Sequence, residues 1–236
     1  MPALLARLGW LGVLGRGLLA LLLLLLFWQA VLFTQVIWWS RFDPGSTSFM
    51  RMRLAELRQS DPAATLRHQW VGYDRISIHL KRAVVAAEDD RFLDHEGFDW
   101  EGIQRALEKN ERRGRLAAGG STITQQLAKN LFLSPSRSWL RKGQEAVLTV
   151  MIEATWDKRR ILEVYLNVAE WGNGLFGAEA AARRYYGTSA ANLGPSQAAR
   201  LAVMLPNPLR YERNYGPRLA AHADRVQRRM HASQVP

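Results

Sequence analysis

The chain contains no cysteine, which excludes disulfide bonds and is compatible with an oxidising compartment, although many cytosolic proteins also lack cysteine. It also has no charged residue from Gly17 to Trp39, and Leu18 to Phe27 is nearly all leucine. A run of this length predicts a transmembrane helix over residues 17–39, preceded by residues 1–16. A cleaved signal peptide fits less well, because its apolar core is shorter and ends at small residues rather than at Trp38 and Trp39.

After this segment the sequence shows no strand alternation of useful length, no internal repeat and no low-complexity tract. We therefore predict a mainly α fold, with a linker over residues 40–75 and one domain over residues 76–236. A second catalytic domain does not fit in 236 residues. Apolar spacing predicts helices near 48–59, 80–87, 100–113, 122–131, 138–157, 158–168, 177–186 and 196–205.

Positive charge is in excess, with 32 Lys and Arg against 21 Asp and Glu and a formal net charge of +11. Such a balance favours anionic headgroups, a phosphorylated lipid or nucleic acid as partner. The membrane anchor argues against nucleic acid, so no nucleic-acid partner is predicted.

The segment EDDRFLDHEG, residues 88–97, holds five acids together with Arg91 and His95. This density suggests a general base with neighbours that shift its pKa, although a surface loop would have a similar composition. His95 has no second histidine at helical or loop spacing, so no metal site is predicted there.

The segment GGSTITQQLAKN, residues 119–130, carries one formal charge, Lys129, among hydroxyl and amide side chains. These groups suit a surface that holds a hydroxylated or phosphorylated ligand by hydrogen bonds. The alternative is a Gly-Gly turn followed by an ordinary helix from Thr122 to Leu131 with Ser121 as its N-cap.

Together with RKGQE at 141–145, KRRILEVYLN at 158–167 and GLFGAEAAARRYYG at 174–187, these two segments resemble glycosyltransferase family 51, the peptidoglycan glycosyltransferases. The same domain occurs in class A penicillin-binding proteins, but their S-x-x-K and K-T-G motifs are absent here. The sequence therefore resembles the monofunctional members. The resemblance implies a lysozyme-like fold with a smaller mobile lobe and a cleft that polymerises lipid II, with residues 1–16 cytoplasmic and residues 40–236 periplasmic.

The resemblance also implies roles for individual residues. Glu88 corresponds to the general base, and Glu145 to a second essential glutamate that holds the pyrophosphate region through a cation. Gln144 departs from members that have lysine before this glutamate. Some members use Mg²⁺ or Mn²⁺, but no metal-ligand set is predicted. The substrate-binding residues implied are Asp89, Arg91, Phe92, Ser121, Thr122, Gln125, Gln126, Lys129, Asn130, Arg137, Arg141 and Lys142.

The implied partners are lipid II, the nascent glycan strand, inner-membrane lipid and proteins of the division or elongation machinery. We also expect the apolar side of the Phe98–Leu107 segment to enter the membrane interface. Two alternatives stay open: a lytic transglycosylase or muramidase that cleaves glycan, and an inactive membrane-anchored scaffold. The basic residues favour synthesis, because glycan cleavage has no pyrophosphate to stabilise.

Overall fold

The computed structural model describes residues 2–114, 120–136 and 138–236, and the chain forms two compact units, residues 1–42 and 43–236. The first unit is helix α1, Pro2–Arg41. Its segment Val13–Arg41 has 29 residues and a mean hydropathy of 2.3. A helix of that length rises about 44 Å, more than the roughly 30 Å hydrocarbon core of a bilayer. The helix is consistent with a single-pass membrane anchor and includes the predicted span.

The second unit is mainly helical in its described part, as predicted. It also contains two 3₁₀ turns, at Tyr73–Arg75 and Ala190–Asn192. In chain order its other elements are α2 Ser48–Ser60, β1 Arg67–His68, α3 Ile78–Glu88, α4 Trp100–Arg113, α5 Ile123–Phe132, α6 Trp139–Thr155, α7 Lys158–Val168, β2 Glu170–Gly172, β3 Leu175–Phe176, α8 Ala178–Tyr186, α9 Pro195–Ala202, α10 Pro208–Arg213 and α11 Pro217–Arg229.

Local hydrogen bonds set where α5 begins. Thr122 Oγ1 accepts a hydrogen bond from the Gln125 N–H at 3.2 Å, and Gln125 Oε1 accepts one from the Thr122 N–H at 3.1 Å. This capping box makes Thr122 the N-cap, so the expectation that Ser121 caps the helix is wrong. The helix consequently starts one residue later than predicted.

A small sheet has the strand order β1-β3-β2, with β1 parallel and β2 antiparallel to β3. Arg67 pairs with Leu175 and His68 with Phe176. Strands of two or three residues cannot display a period-two pattern, which is why no strand was predicted.

Residues 43–75, which are most of the segment 40–75 predicted as a linker, belong to the second compact unit. Met50 on α2 is only 1% exposed, and α2 packs against α5. Strand β1 pairs with β3 near the opposite end of this segment. The compact unit therefore begins at Asp43 rather than at residue 76.

Helix α5 lies at the centre of the unit, where it packs against α2, α6 and α7, while α3 packs against α9 and α11. Leu127, Leu148, Ile161 and Tyr165 are fully buried in this core. Helix α6 packs directly on α5, and a hydrogen bond of 2.8 Å from Gln126 on α5 to Glu88 joins the end of α3 to the same helix. The candidate site lies where these three helices meet.

Candidate active site

Glu88 is the last residue of α3, and a chain of hydrogen bonds orients its carboxylate. Gln126 Nε2 on α5 donates to Glu88 Oε2 at 2.8 Å. The hydroxyl of Tyr165 on α7 donates to Gln126 Oε1 at 2.9 Å. Because the tyrosine proton occupies the amide oxygen, the amide nitrogen must face the carboxylate. Two helices thus hold one oxygen of Glu88 in place.

The electrostatic surroundings of Glu88 make it a stronger base than an ordinary glutamate. Burial raises its pKa, and the neighbouring charge of Asp89 acts in the same direction. The hydrogen bond from Gln126 and the charge of Lys129 partly oppose this rise in pKa. The result is a carboxylate that is stabilised at one oxygen yet has gained proton affinity.

A cluster of cations surrounds Glu145, a buried residue on α6. Arg141 Nη1 lies 2.5 Å from Glu145 Oε2, and Lys142 Nζ contacts Glu145 Oε1. These partners stand one turn of helix before the glutamate, which places both cations on its side of α6. Both carboxylate oxygens of Glu145 are therefore occupied by protein cations.

Lys129 on α5 lies between the two glutamates. Burial lowers its pKa, while the negative charges of Glu145 and Glu88 raise it and the positive charges of Arg141 and Lys142 lower it. Of the two glutamates, Glu145 raises the pKa of Lys129 more than Glu88 does. The protonation of Lys129 thus depends on Glu145 more than on Glu88.

One open cavity of about 630 Å³ brings these groups together. Lys109 from α4 and His222 from α11 also line it, and neither was predicted as a site residue. Its predicted members are Glu88, Ser121, Gln125, Gln126, Lys129, Arg141, Lys142 and Glu145.

The family model described as "Transglycosylase" matches residues 55–232. The chain belongs to the transglycosylase family. Three similar proteins are each named "Biosynthetic peptidoglycan transglycosylase". Those of Azoarcus sp. (strain BH72) and Aromatoleum aromaticum are 73% and 68% identical, each covering 94% of this chain and 96% of its own length. That of Dechloromonas aromatica is 61% identical and covers 95% of this chain and 99% of its own length.

Three of the residues predicted to bind substrate, Phe92, Thr122 and Arg91, make contacts within the fold of the transglycosylase. The side chain of Phe92 is fully buried, with Lys158 Nζ 4.7 Å from its ring centre, so it offers no surface to a ligand. Thr122 Oγ1 donates to the carbonyl of Gly97 at 2.7 Å, in addition to capping α5. Arg91 contacts the acids Asp94, Asp99 and Glu101 and does not line the cavity.

Asn130 and Arg137 were also predicted to bind substrate. Asn130 lines a second cavity, which shares Gln126 and Lys129 with the first. Arg137 lies outside the described residues. Tyr165, which orients Gln126, was not predicted as a site residue, although it stands within the KRRILEVYLN motif. Lys109 and His222 have no motif around them that would have indicated a place in the cavity.

The described residues of the transglycosylase do not fit a divalent cation. Among them, no group of three or more His, Asp or Glu side chains comes together as a metal site. Glu145, the predicted carboxylate nearest the pyrophosphate region, has both oxygens bound to Arg141 and Lys142. We therefore derive no catalytic step through a metal.

Asp89 positions the start of α5. Its Oδ2 accepts the backbone N–H of Ile123 at 3.0 Å, and its Oδ1 lies 2.9 Å from His95 Nε2. We expect Asp89→Asn to lower the free energy of unfolding by about 1–3 kcal/mol, because the new amide group would oppose one of these N–H donors. Chemical denaturation of the full-length protein in detergent measures this loss.

Asp90→Asn is the matched control. Asp90 is exposed, and its Oδ1 accepts a hydrogen bond from Ser233 Oγ at 3.0 Å, which an amide oxygen can replace. The control should unfold like the wild type. Equal stability of both variants would contradict the positioning role of Asp89.

Proposed function

We propose that this transglycosylase is a peptidoglycan glycosyltransferase that polymerises lipid II into glycan strands for the cell wall. One observation carries the proposal: Glu88, with its raised pKa, faces the same cavity as the cations Lys129, Arg141 and Lys142. A general base beside a cationic wall suits a transfer in which a hydroxyl attacks and an anionic pyrophosphate departs. Glycan cleavage would not need the cationic wall.

The reaction proceeds as a single displacement. Glu88 takes the proton from the 4-hydroxyl of the acceptor N-acetylglucosamine as the new bond forms to C1 of the donor N-acetylmuramic acid. The bond from C1 to the pyrophosphate oxygen breaks, and undecaprenyl pyrophosphate leaves with the electron pair. Lys129 and Arg141 stabilise the charge that develops on it. One displacement inverts the configuration at C1.

Glu145 supports the cations rather than the reacting sugar. Its contacts hold Arg141 and Lys142 in place, and its charge opposes the lowering of the pKa of Lys129 by burial. An isolated carboxylate would repel pyrophosphate, but a carboxylate neutralised by three cations leaves the wall positive. The activity assay with and without Mg²⁺ or Mn²⁺ measures whether the reaction needs a divalent ion.

The anchor accords with a substrate that carries a prenyl tail. We place α1 across the inner membrane, with residues 1–16 cytoplasmic and the second unit periplasmic, where lipid II is polymerised. A tail that cannot leave the bilayer requires an enzyme that works at its surface. Proteins of the division or elongation machinery remain candidate partners.

Exposed apolar side chains provide a surface for contact with the membrane. Trp139 and Leu140, in the first turn of α6, are 92% and 88% exposed, and Trp100 and Leu107 on α4 are 72% and 58% exposed. Large apolar groups left open in this way are typical of membrane or partner contacts, and tryptophan favours the interface. We place these side chains in the outer part of the bilayer.

The lack of cysteine makes this placement directly measurable. We expect a fluorophore attached at Leu140→Cys to be quenched several-fold more by lipids with a nitroxide on the acyl chain than one at the exposed control site Arg218→Cys. Both variants are full-length proteins reconstituted in vesicles. Equal quenching at the two sites would contradict contact of α6 with the acyl region.

Incubation of the full-length protein with labelled lipid II, followed by separation of products by size, tests the activity itself. The proposed function predicts long glycan that lysozyme digests, measured with and without added Mg²⁺ or Mn²⁺. Shortening of pre-made glycan would instead indicate a lytic enzyme, and the absence of any product would indicate a scaffold.

A further inference from the structure

A groove of about 420 Å³ lies beside the small sheet. Residues 66–69, around β1, form one wall, and Ala180, Arg183 and Arg184 on α8 form the other. None of these residues is among the described residues that line the first cavity. The groove is therefore separate from the candidate active site.

Strand β1 lies at one edge of the described sheet, whose strand order is β1-β3-β2. The N–H of Arg67 donates to the carbonyl of Gly174 at 2.8 Å, so the backbone groups of Arg67 face β3. Neighbouring residues of a strand direct their backbone groups to opposite sides, and those of His68 consequently point away from β3. An open edge of this kind can pair with an extended peptide.

The ring of His68 does not supply the charge of the groove. Its Nε2 lies 3.1 Å from the carbonyl oxygen of Asn167, and burial lowers its pKa. A lowered pKa keeps the imidazole neutral at pH 7. The positive charge of the groove therefore comes from arginine.

Three arginines line the groove, and no acid is among its described lining residues. Arg67 and Arg184 are exposed. Burial raises the pKa of Tyr185 to about 12, and the charges of Arg184 and Arg67 oppose this rise, so both guanidinium groups lie near one phenol. Like charges held near each other in this way favour an anionic partner.

The third arginine, Arg183, has a partner that only partly satisfies it. Its Nη2 lies 2.7 Å from Glu179 Oε1, yet its side chain is still 59% exposed. The other oxygen of Glu179 accepts the N–H of Ala190 at 2.7 Å. Glu179 is thus held by the fold, and one carboxylate faces three arginines.

A membrane surface with anionic headgroups is the other partner that such a charge would suit. Among the described residues, no large apolar side chain of residues 66–69 or of α8 is exposed. The exposed Trp100, Trp139 and Leu140, which we place in the bilayer, belong to other helices. A concave groove along a strand edge favours an extended chain over a layer of headgroups.

We propose that this groove binds an extended acidic segment of a partner protein, which pairs with the open edge of β1 and places carboxylates against Arg67, Arg183 and Arg184. Backbone pairing supplies affinity in contacts of this type, and guanidinium groups select for carboxylates. The inference goes beyond the proposed function, because it assigns a docking surface that takes no part in the chemistry.

Fluorescence anisotropy of a labelled peptide of alternating glutamate and valine tests the proposal on the full-length protein in neutral detergent. We expect saturable binding to the wild type. The double variant Arg183→Gln, Arg184→Gln should raise Kd about tenfold, the scale of two exposed ion pairs. Arg67→Gln should raise Kd about threefold, and it decides the matter if the double variant does not fold.

The double variant Arg225→Gln, Arg228→Gln is the matched control, because it removes the same charge from two exposed positions on α11. It should bind the peptide as the wild type does. Equal Kd for the groove variants and this control would overturn the proposal, as would the absence of peptide binding to the wild type. If the groove variants weaken binding to phosphatidylglycerol in mixed micelles and not to the peptide, the surface is a lipid site and the proposal is wrong.

A second peptide of the same sequence, methylated at every backbone nitrogen, tests the pairing on β1. It keeps the charge of the first peptide but has no backbone donor for the strand edge. We expect it to bind at least tenfold more weakly. Equal affinity for the two peptides would contradict strand pairing and overturn the proposal.

Discussion

Glu88→Gln is expected to lower the rate of glycan formation by about 10²–10⁴-fold, the usual contribution of general-base catalysis. The amide cannot accept the acceptor proton, yet its oxygen can still receive the hydrogen bond from Gln126 Nε2. The cavity and its cations should therefore stay in place, and KM should change little. Initial rates at saturating labelled lipid II measure the loss.

The matched control for this variant is Glu96→Gln, an exposed position in the same segment, which should retain the wild-type rate. Stability gives an independent readout. A carboxyl whose folded pKa lies above its unfolded pKa destabilises the fold once it is ionised. Glu88→Gln should therefore unfold at a higher temperature than the wild type at pH 7, and the difference should vanish below about pH 4. A variant that keeps wild-type turnover would remove Glu88 as the base.

Glu145→Gln is expected to lower kcat/KM by about 10²-fold and to move the alkaline limb of its pH profile to lower pH. The loss has the scale of removing one electrostatic contact from a transition state. The pH shift has a separate cause: Glu145 is the largest influence that raises the pKa of Lys129. Without it, burial lowers this pKa further, and Lys129 loses its proton nearer to neutral pH. Measurements of kcat/KM from about pH 6 to 10 test both effects.

Glu108→Gln, on the exposed side of α4, serves as the control for the loss of one negative charge and should leave the profile unchanged. A uniform drop in kcat/KM without a shift of the alkaline limb would separate Glu145 from the protonation of Lys129. In that case the function of Glu145 would be limited to positioning Arg141.

Local signals in the sequence predicted helices α1 to α9, although α10 was not predicted. The predicted bounds of α4 and α7 agree with the structure, because Asp157 caps α7 through its own side chain and apolar spacing marks both helices. The family resemblance likewise placed Glu88, Lys129 and Glu145 on the elements that converge at the cavity. These signals are carried by residues close to one another in the chain.

Contacts between distant residues could not be predicted in this way. Arg53 and Glu170 are 117 residues apart, and nothing in the composition of either segment indicates the other. Tyr165 and Gln126 are 39 residues apart, and their contact depends on how α7 packs against α5. The family resemblance implied that Arg91 binds substrate, and its contacts with Asp99 and Glu101 were likewise not predicted.

The hydrogen bonds from Tyr165 through Gln126 to Glu88 all run in one direction. Burial raises the pKa of Tyr165 well above its usual value, and the charge of Glu88 raises it further, so the phenol keeps its proton. If the amide of Gln126 turned round, its oxygen would face the ionised carboxylate of Glu88, and the two acceptors would repel each other. Tyr165 and Gln126 therefore hold Glu88 from the side of the core, and the proton that Glu88 gains can leave toward the open cavity that Glu88 lines.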